Sequence, residues 1–186
     1  MTDQIRRDAD ARMSRALDAL ERDLAAIRTG RAATALVERI PVEYYGTSTP
    51  LNQLASISVP EAHSIVIQPW DRSALGAIEK AILKSEVGLT PNVDGTVVRL
   101  NIPLLTEERR RDLVKLVHKR MEEARVEVRN HRRDVAEEIR KGERDGEIGV
   151  DEGRREQEQL QKVTDRWTAE IERVGKHKEQ EILEVG

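Results

Sequence analysis

The 186-residue chain has no cysteine, no phenylalanine and few aromatic side chains, which are Tyr44, Tyr45, Trp70 and Trp167. Without cysteine it can form no disulfide framework, zinc knuckle or thiol nucleophile, and a reducing compartment suits it. So few rings cannot fill one large globular core, which argues against an ordinary single-domain enzyme. The chain also lacks the run of roughly 20 apolar residues that a membrane span needs, and its N-terminus lacks the apolar stretch of a secretory signal.

An excess of positive charge is also missing. The 32 basic and 35 acidic side chains give a formal net charge of -3. This balance excludes a protein that binds nucleic acid by bulk charge alone. The composition therefore predicts a soluble, highly charged protein of the cytoplasm.

Charge and proline divide the chain into two parts. All six prolines lie within residues 31–105, where charged side chains are sparse, whereas the flanking residues are densely charged. Proline-free, charge-dense segments are typical of long helices, because proline clashes with the preceding helical turn. We therefore predict one helical domain formed by residues 1–30 and 106–186, with a smaller domain of residues 31–105 inserted into it.

Apolar residues in the flanks recur at intervals of three and four, which is the pattern of helices packed lengthwise on one another. The first predicted helix covers residues 3–29 and ends at Gly30, the second runs from an N-cap at Thr106 to Gly142, and the third begins near Asp151. They form an elongated antiparallel three-helix bundle. The predicted seams are Met13, Leu17, Leu20, Leu24 and Ile27; Leu113, Val117, Met121, Ala124, Val128, His131, Val135 and Ile139; and Leu160, Val163, Trp167, Ile171, Val174 and Ile182.

The inserted part shows the alternation of half-buried strands, so the chain is assigned to the α+β class. Strands are predicted near residues 39–45, 54–59, 64–68 and 96–102, with a short helix capped by Asp71 and turns over residues 46–50 and 92–95. This small β/α/β domain is joined to the bundle by two short links near residues 29–32 and 103–106. Because few contacts cross such links, we expect them to act as a hinge.

No catalytic or metal-binding pattern stands out. The histidines at 63, 118, 131 and 177 lack metal-ligand spacing, and no glycine loop has the context of a phosphate cradle. We predict no metal, no cofactor and no enzymatic activity. His131 lies on an apolar seam and is expected to be a core histidine with a buried partner, and Trp167 is expected to contribute packing.

The second long helix carries a basic face. At 100° per residue, eight basic side chains fall within about 60° of one direction. We call this set the arginine ridge; it consists of Arg111, Lys115, His118, Arg125, Arg129, Arg132, Arg133 and Arg140. Arg28 and Arg31 bracket the first link and extend the basic character there. Arginine binds phosphate with a two-pronged fork, so the ridge suits RNA.

Two other interpretations stay open on the residues alone. The ridge is also what a solubilising helix face looks like, with Glu122 pairing with Arg125 or Arg129. A coiled-coil adaptor that binds protein partners through its charged faces would need no RNA. A carboxylate enzyme is disfavoured because the acids of the inserted part are scattered among turns.

Several segments carry a resemblance to a known family. Ile27–Ala32 (IRTGRA), Val42–Gly46 (VEYYG), Leu104–Arg110 (LLTEERR) and Ala124–Asn130 (ARVEVRN), with others between them, resemble the ribosome recycling factor family over essentially the whole chain. The resemblance implies an L-shaped, tRNA-like fold. It also implies that the protein binds the post-termination ribosome and, with elongation factor G and GTP, splits it into subunits, releasing mRNA and tRNA.

The resemblance carries over to individual residues. It implies that Arg132, Arg129 and Arg28 contact RNA of the large subunit. With the ridge, the predicted rRNA-binding set is Arg28, Arg31, Arg125, Arg129, Arg132 and Arg133. The predicted hinge residues are Gly30, Arg31, Leu104, Leu105 and Thr106. The expected partners are the ribosome and elongation factor G, with no DNA and no membrane, and the protein is expected to be a monomer.

The chain departs from the family pattern in three places. Ala33-Thr34 replace a usual segment that contains proline, which bears on the stiffness of the first link. His131 replaces an aliphatic seam residue, and the glycines of the 142–153 loop add flexibility. None of these changes affects the arginines.

Overall fold

A computed structural model describes residues 2–184, which separate into two compact units. One unit consists of residues 2–28 and Glu107–Glu184, and the other of Thr29–Thr106. The first unit is helical and the second contains all the strands. The α+β class, with a small domain inserted into a three-helix bundle, is confirmed. None of the helices in residues 2–184 is long and apolar enough to cross a membrane.

The helical unit contains three long helices: α1 (Thr2–Ala25), α3 (Glu107–Arg144) and α4 (Val150–Leu183). Side-chain pairs between helices fix their directions. Arg12 of α1 pairs with Glu138 near the far end of α3 at 3.2 Å, and His118 near the start of α3 pairs with Glu179 near the end of α4 at 3.1 Å. Farther along, Gln157 of α4 bonds to Ala136 of α3 at 3.0 Å, so α3 and α4 are antiparallel. Helix α1 runs parallel to α4, since Arg6 pairs with Glu156 at 2.8 Å and Asp10 accepts from Trp167 at 2.9 Å. Helix α3 is therefore antiparallel to both neighbours, as the bundle prediction requires.

The buried stripes of α1 and α3 agree closely with the predicted seams. In α3 every predicted seam residue is buried except His131. The prediction for His131 was wrong: its side chain is 25% exposed, and its neighbour is Glu127 at 3.5 Å, a side chain that is itself half exposed. A histidine at the edge of a narrow seam turns its polar ring toward water and a nearby carboxylate rather than into the core.

The stripe of α4 differs from its prediction. Val163, Trp167 and Val174 are only half buried, whereas Glu156, Thr164 and Gly175 are buried. At Gly175 the helices approach so closely that a Cβ atom would lie 2.2 Å from the Sδ of Met121. Trp167 contributes packing at the rim, where its Nε1 donates to Asp10 at 2.9 Å. The inner face of α4 thus uses a small residue where periodicity predicted a large one.

Two helix ends that were predicted at glycines lie at other residues in the structure. Helix α1 ends at Ala25 rather than near residue 29, so Gly30 lies beyond it and is not its stop. Helix α3 continues past the buried Gly142 to Arg144. The turn that follows is closed by Gly146, at φ +74°, and by a bond from Glu147 N to Gly142 O of 2.9 Å. A left-handed glycine just after a helix is a common C-terminal cap.

The second unit contains six strands and α2 (Leu75–Lys84). The strands are β1 (Pro41–Tyr44), β2 (Thr47–Pro50), β3 (Ala55–Glu61), β4 (Ser64–Pro69), β5 (Pro91–Asp94) and β6 (Val97–Asn101). β1 and β2 form a hairpin, and the others form an antiparallel sheet in the order β3-β4-β6-β5. Branched side chains from both sheets and α2 fill one core, with Val42, Ile65, Ile78 and Leu100 fully buried.

The predictions of turns over residues 46–50 and 92–95 were wrong. Thr47–Pro50 forms β2 and pairs with β1 along its whole length. Pro91–Asp94 forms β5 and pairs with β6 along its whole length. The turn is confined to Gly95 and Thr96, with Gly95 at φ +65°. Asn92, Asp94 and Gly95 have turn composition, but pairing with β6 overrides that preference.

A hydrogen bond between Tyr44 and Asp71 joins the hairpin to a short 3-10 helix, Arg72–Ala74, that leads directly into α2. The Tyr44 hydroxyl donates to Asp71 Oδ2 at 2.6 Å, and Asp71 Oδ1 accepts from Ser73 N at 2.9 Å, as an N-cap does. The bond to Asp71 raises the pKa of Tyr44 to about 12. The hydrogen bonds from Tyr44 and Ser73 lower the pKa of Asp71.

The effect of this hydrogen bond on the pKa of Tyr44 can be measured by titration. In a Tyr45→Phe variant the remaining tyrosine should ionise near pH 12, about two units above an ordinary tyrosine. Because the folded-state pKa is raised, the stabilisation is complete below about pH 10 and is lost as the pH approaches 12. Ultraviolet absorbance of the phenolate, with circular dichroism to follow folding, gives the value. Adding Asp71→Asn should return it toward 10; a normal tyrosine titration in folded Tyr45→Phe would contradict the assignment.

Candidate nucleic-acid interface

The arginine ridge lies along the solvent side of α3. All its members are exposed except Arg125, whose side chain is 25% exposed beside α4. The acidic side chains on the other side of α3 point away from the ridge. Glu123 pairs with Arg120 at 2.9 Å, and Glu138 pairs with Arg12 of α1. The sorting of charge that the sequence predicted is therefore a property of the folded helix.

Some of the ridge is held by carboxylates. Glu122 accepts from Arg125 Nε at 2.9 Å and from Arg129 Nη2 at 2.7 Å. Arg125 also reaches Glu172 on α4. The hydrogen bonds from Arg129 and Arg125 lower the pKa of Glu122. Burial works against the charge of Arg125, but the two carboxylates outweigh it and raise its pKa. The pairing expected for a solubilising face is thus present at these two arginines. It is also present at three other ridge members, since Arg111 pairs with Glu107, His118 with Glu179 and Arg140 with Glu137.

Arg132 and Arg133 differ from them. Arg132 Nη1 makes a long contact of 3.4 Å with Gln161 Oε1, and Arg133 Nη2 lies 3.5 Å from Asn130 Oδ1. Within residues 2–184, neither guanidinium pairs with a carboxylate. Their charge is therefore available to an anion from solution without an ion pair having to break first.

An open groove of about 320 Å³ lies between part of the arginine ridge and α4. It is lined by Arg125, Arg129, Arg132, Gln161, Thr164, Asp165 and Thr168. On the α4 side the buried Thr164 hydroxyl donates to Leu160 O at 2.8 Å, so the Thr168 hydroxyl and the second amide hydrogen of Gln161 are the groups that can donate to phosphate and ribose oxygens. The single carboxylate on this side, Asp165, already accepts from Gln161 Nε2 at 2.8 Å. The groove suits a phosphate-bearing polymer better than a small neutral molecule.

The structure brings three predicted residues, Arg125, Arg129 and Arg132, into this groove, with Arg133 one residue farther along α3. Arg28 is exposed, three residues beyond the end of α1, and does not line the groove. Arg31 belongs to the other unit. Sequence reasoning missed Gln161, Thr164 and Thr168, because uncharged polar residues on a charge-rich helix carry no periodic signal.

All the predicted hinge residues belong to the strand-containing unit. They are Gly30, Arg31, Leu104, Leu105 and Thr106. Gly30 has φ +74°, and a Cβ there would lie 3.2 Å from Leu105 Cγ. Its carbonyl accepts from His63 Nδ1 at 3.0 Å. The first link is thus bound to the β3–β4 turn at its far end.

No group of three or more histidine or acidic side chains is placed to hold a metal ion in the part of the chain that the structure describes. Glu122, the carboxylate shared by two arginines, is occupied by ion pairs.

Comparison with known proteins gives a consistent result. The family model described as ribosome recycling factor matches residues 20–183. The ribosome-recycling factor of Shouchella clausii strain KSM-K16 is 55% identical over 185 residues, and that of Thermomicrobium roseum is 52% identical; each alignment covers 100% of both chains.

Two solved structures are also similar. A solution structure of the ribosome recycling factor has a TM-score of 0.72 and 49% identity, covering 99% of this chain and 98% of that one. Models of the T. thermophilus ribosome recycling factor and the E. coli elongation factor G, bound to the E. coli post-termination complex, include a match with a TM-score of 0.61 and 41% identity over 100% of both chains. The segments that carry the resemblance, the two-unit fold and these relatives agree, and the chain belongs to the ribosome recycling factor family.

Proposed function

We propose that this protein performs ribosome recycling by placing the groove of Arg125, Arg129 and Arg132 on RNA of the large ribosomal subunit. Ribosome recycling is the activity of its family, whose members are translation factors and not enzymes. The RNA contact and its residues are the proposal. The observation that carries it is that Arg132, which lines the groove, and the exposed Arg133 next to it in sequence are free of carboxylate partners among residues 2–184.

The groove combines fixed and available charge. Glu122 holds Arg125 and Arg129 in place through bonds of 2.9 and 2.7 Å, so their side chains lose little further freedom when an anion arrives. Arg132 supplies the charge that is not yet neutralised. An RNA phosphate entering the groove would bind Arg132 and then compete with Glu122 for the other two guanidinium groups.

The overall charge makes this contact directional. A chain of net charge -3 is repelled by RNA everywhere except at a local basic surface. The ridge concentrates such charge on one side of α3. The protein is thus expected to approach RNA along this edge and not through its acidic surfaces.

The partner and the hinge belong to the same proposal. A relative has been studied together with elongation factor G on the post-termination complex, and we expect this chain to act with that factor and GTP to separate the subunits, with release of mRNA and tRNA. The two links, at Gly30-Arg31 and Leu104–Thr106, are the proposed pivot between domains 1–30 plus 106–186 and 31–105. We expect a cytoplasmic monomer, since ribosomes are its substrate.

The links are not free along their whole length. Ala32 N donates to Ala62 O at 2.8 Å, and Ile102 N donates to His63 O at 2.8 Å. Together with the His63–Gly30 contact, these bonds fasten both links to the β3–β4 turn. We therefore expect the backbone of each link to rotate beyond these hydrogen bonds, on the side of Gly30 and of Leu104 that leads to the helical unit.

The RNA contact is tested by Arg129→Ala combined with Arg132→Ala. Both side chains are exposed, so the fold should be unchanged. Affinity for large ribosomal subunits should fall by about 1–3 kcal/mol, and the slope of log K against log salt should flatten by about two. Sedimentation or filter binding over a range of salt concentrations measures both quantities.

The matched control is Arg154→Ala combined with Arg155→Ala, two exposed arginines of α4 outside the ridge. It should bind as the unchanged protein does. If the ridge variant keeps its affinity and salt slope, the ridge is only a solubilising face. Binding to a protein partner without any salt-dependent affinity for ribosomal subunits would favour the adaptor interpretation.

The hinge is tested by Gly30→Ala. Alanine at φ +74° is strained by about 1 kcal/mol, and its Cβ would press on Leu105. Ribosome binding should persist, whereas splitting with elongation factor G and GTP, followed by light scattering, should slow. Gly46→Ala is a close control, because Gly46 has φ +76° with nothing within 4 Å of its Cβ position. Equal splitting rates in the two variants would remove Gly30 from the pivot.

A further inference from the structure

We infer that a groove between β1 and α2 is a docking site for an extended, acidic segment of a protein partner, which adds as a strand to the free edge of β1. The groove has a volume of about 460 Å³ and lies entirely within the strand-containing unit. It is lined by Pro41, Glu43, Gly76, Ala77, Lys80, Ala81 and Lys84. It is separate from the arginine groove, which lies on the helical unit.

The first observation is the open edge of β1. This strand pairs only with β2, through a two-residue turn at Tyr45 and Gly46. In such a hairpin Tyr44 with Thr47, and Val42 with Thr49, exchange the hydrogen bonds. The N–H and C=O of Glu43 therefore point away from β2. Among residues 2–184, no hydrogen bond outside the hairpin uses them, so they are available to a further strand.

The second observation is the floor of the groove. The α2 residues that line its centre are Gly76, Ala77 and Ala81, which have no side chain beyond Cβ. A Cβ added at Gly76 would meet nothing within 4 Å. A strand beside β1 needs a spacing of about 4.8 Å from it, and small residues on the facing helix leave that room.

The third observation is charge. Lys80 and Lys84 are exposed and one helical turn apart, and neither forms an ion pair with any residue from 2 to 184. They outnumber Glu43, the one carboxylate among the lining residues, so the groove carries a net positive charge. Lysines at this spacing lie about 6 Å apart along the helix. Alternate side chains of a strand are separated by about 6.7 Å. Acidic residues at every second position of an incoming strand would therefore meet both lysines while its backbone bonds to Glu43.

The binding can be measured with a synthetic peptide of alternating glutamate and valine, labelled with fluorescein and followed by fluorescence anisotropy. Gly76→Leu places a side chain in the groove and improves helix propensity, so the fold should persist while affinity falls at least about tenfold. Lys80→Glu combined with Lys84→Glu should also weaken binding about tenfold. Lys162→Glu combined with Lys176→Glu, on α4, is the charge-matched control and should leave affinity unchanged.

Two further probes separate strand addition from charge attraction. The same peptide methylated on alternate backbone nitrogens keeps its charges but cannot bond to Glu43, and it should bind at least about tenfold more weakly. Oligouridylate should not displace the unmodified peptide. Absence of peptide binding, equal affinity of the methylated peptide, or full affinity in folded Gly76→Leu overturns the inference, and displacement by oligouridylate assigns the groove to nucleic acid instead. The Arg129→Ala, Arg132→Ala protein should bind the peptide normally, so this result and the ribosome result are independent.

Discussion

The close contact between α3 and α4 determines what the helical unit can do. At Gly175 the α4 backbone lies against the side chain of Met121. Farther along, Gln157 Nε2 donates to the carbonyl of Ala136 at 3.0 Å. The arginine groove takes its cations from one of these helices and its amide and hydroxyl groups from the other. Its width therefore depends on interhelical packing, and a larger residue at Gly175 would alter the binding surface from inside the bundle.

Sequence periodicity predicted α3 well because its core side chains are large and aliphatic from Leu113 to Ile139, so the seam stands out from the charges. In α4 the closest contacts with α3 are made by Gly153, against Glu143, and by Gly175, against Met121, and hydropathy counts neither glycine as a core residue. The strand β5 was missed because Asn92, Asp94 and Gly95 have the composition of a turn. Its existence depends on pairing with β6, a nonlocal interaction that no short window of sequence contains.

The candidate site shows a similar division. The angular sorting of charge on α3 could be predicted from the sequence, since it depends only on 100° per residue. Which arginines are neutralised could not, because Arg125 and Arg129 share one glutamate three or seven residues away while Arg132 has none. Rotamers and the position of α4 decide this. Among residues 2–184, the carboxylate pairing of a solvated face is therefore present at Arg125 and Arg129 and absent at Arg132.

The packing at Gly175 also bears on oxidative damage. Met121 is a thioether whose sulfur is buried against the α4 backbone, with only 4% of the residue exposed. In the folded bundle an oxidant has little access to it. Once converted to the sulfoxide, however, the side chain would carry a polar oxygen into a space that cannot hold even an extra Cβ. A molecule oxidised while unfolded or newly made would thus close α3 on α4 only with a shift of this side chain, and damage at this one sulfur would lower the stability of the bundle.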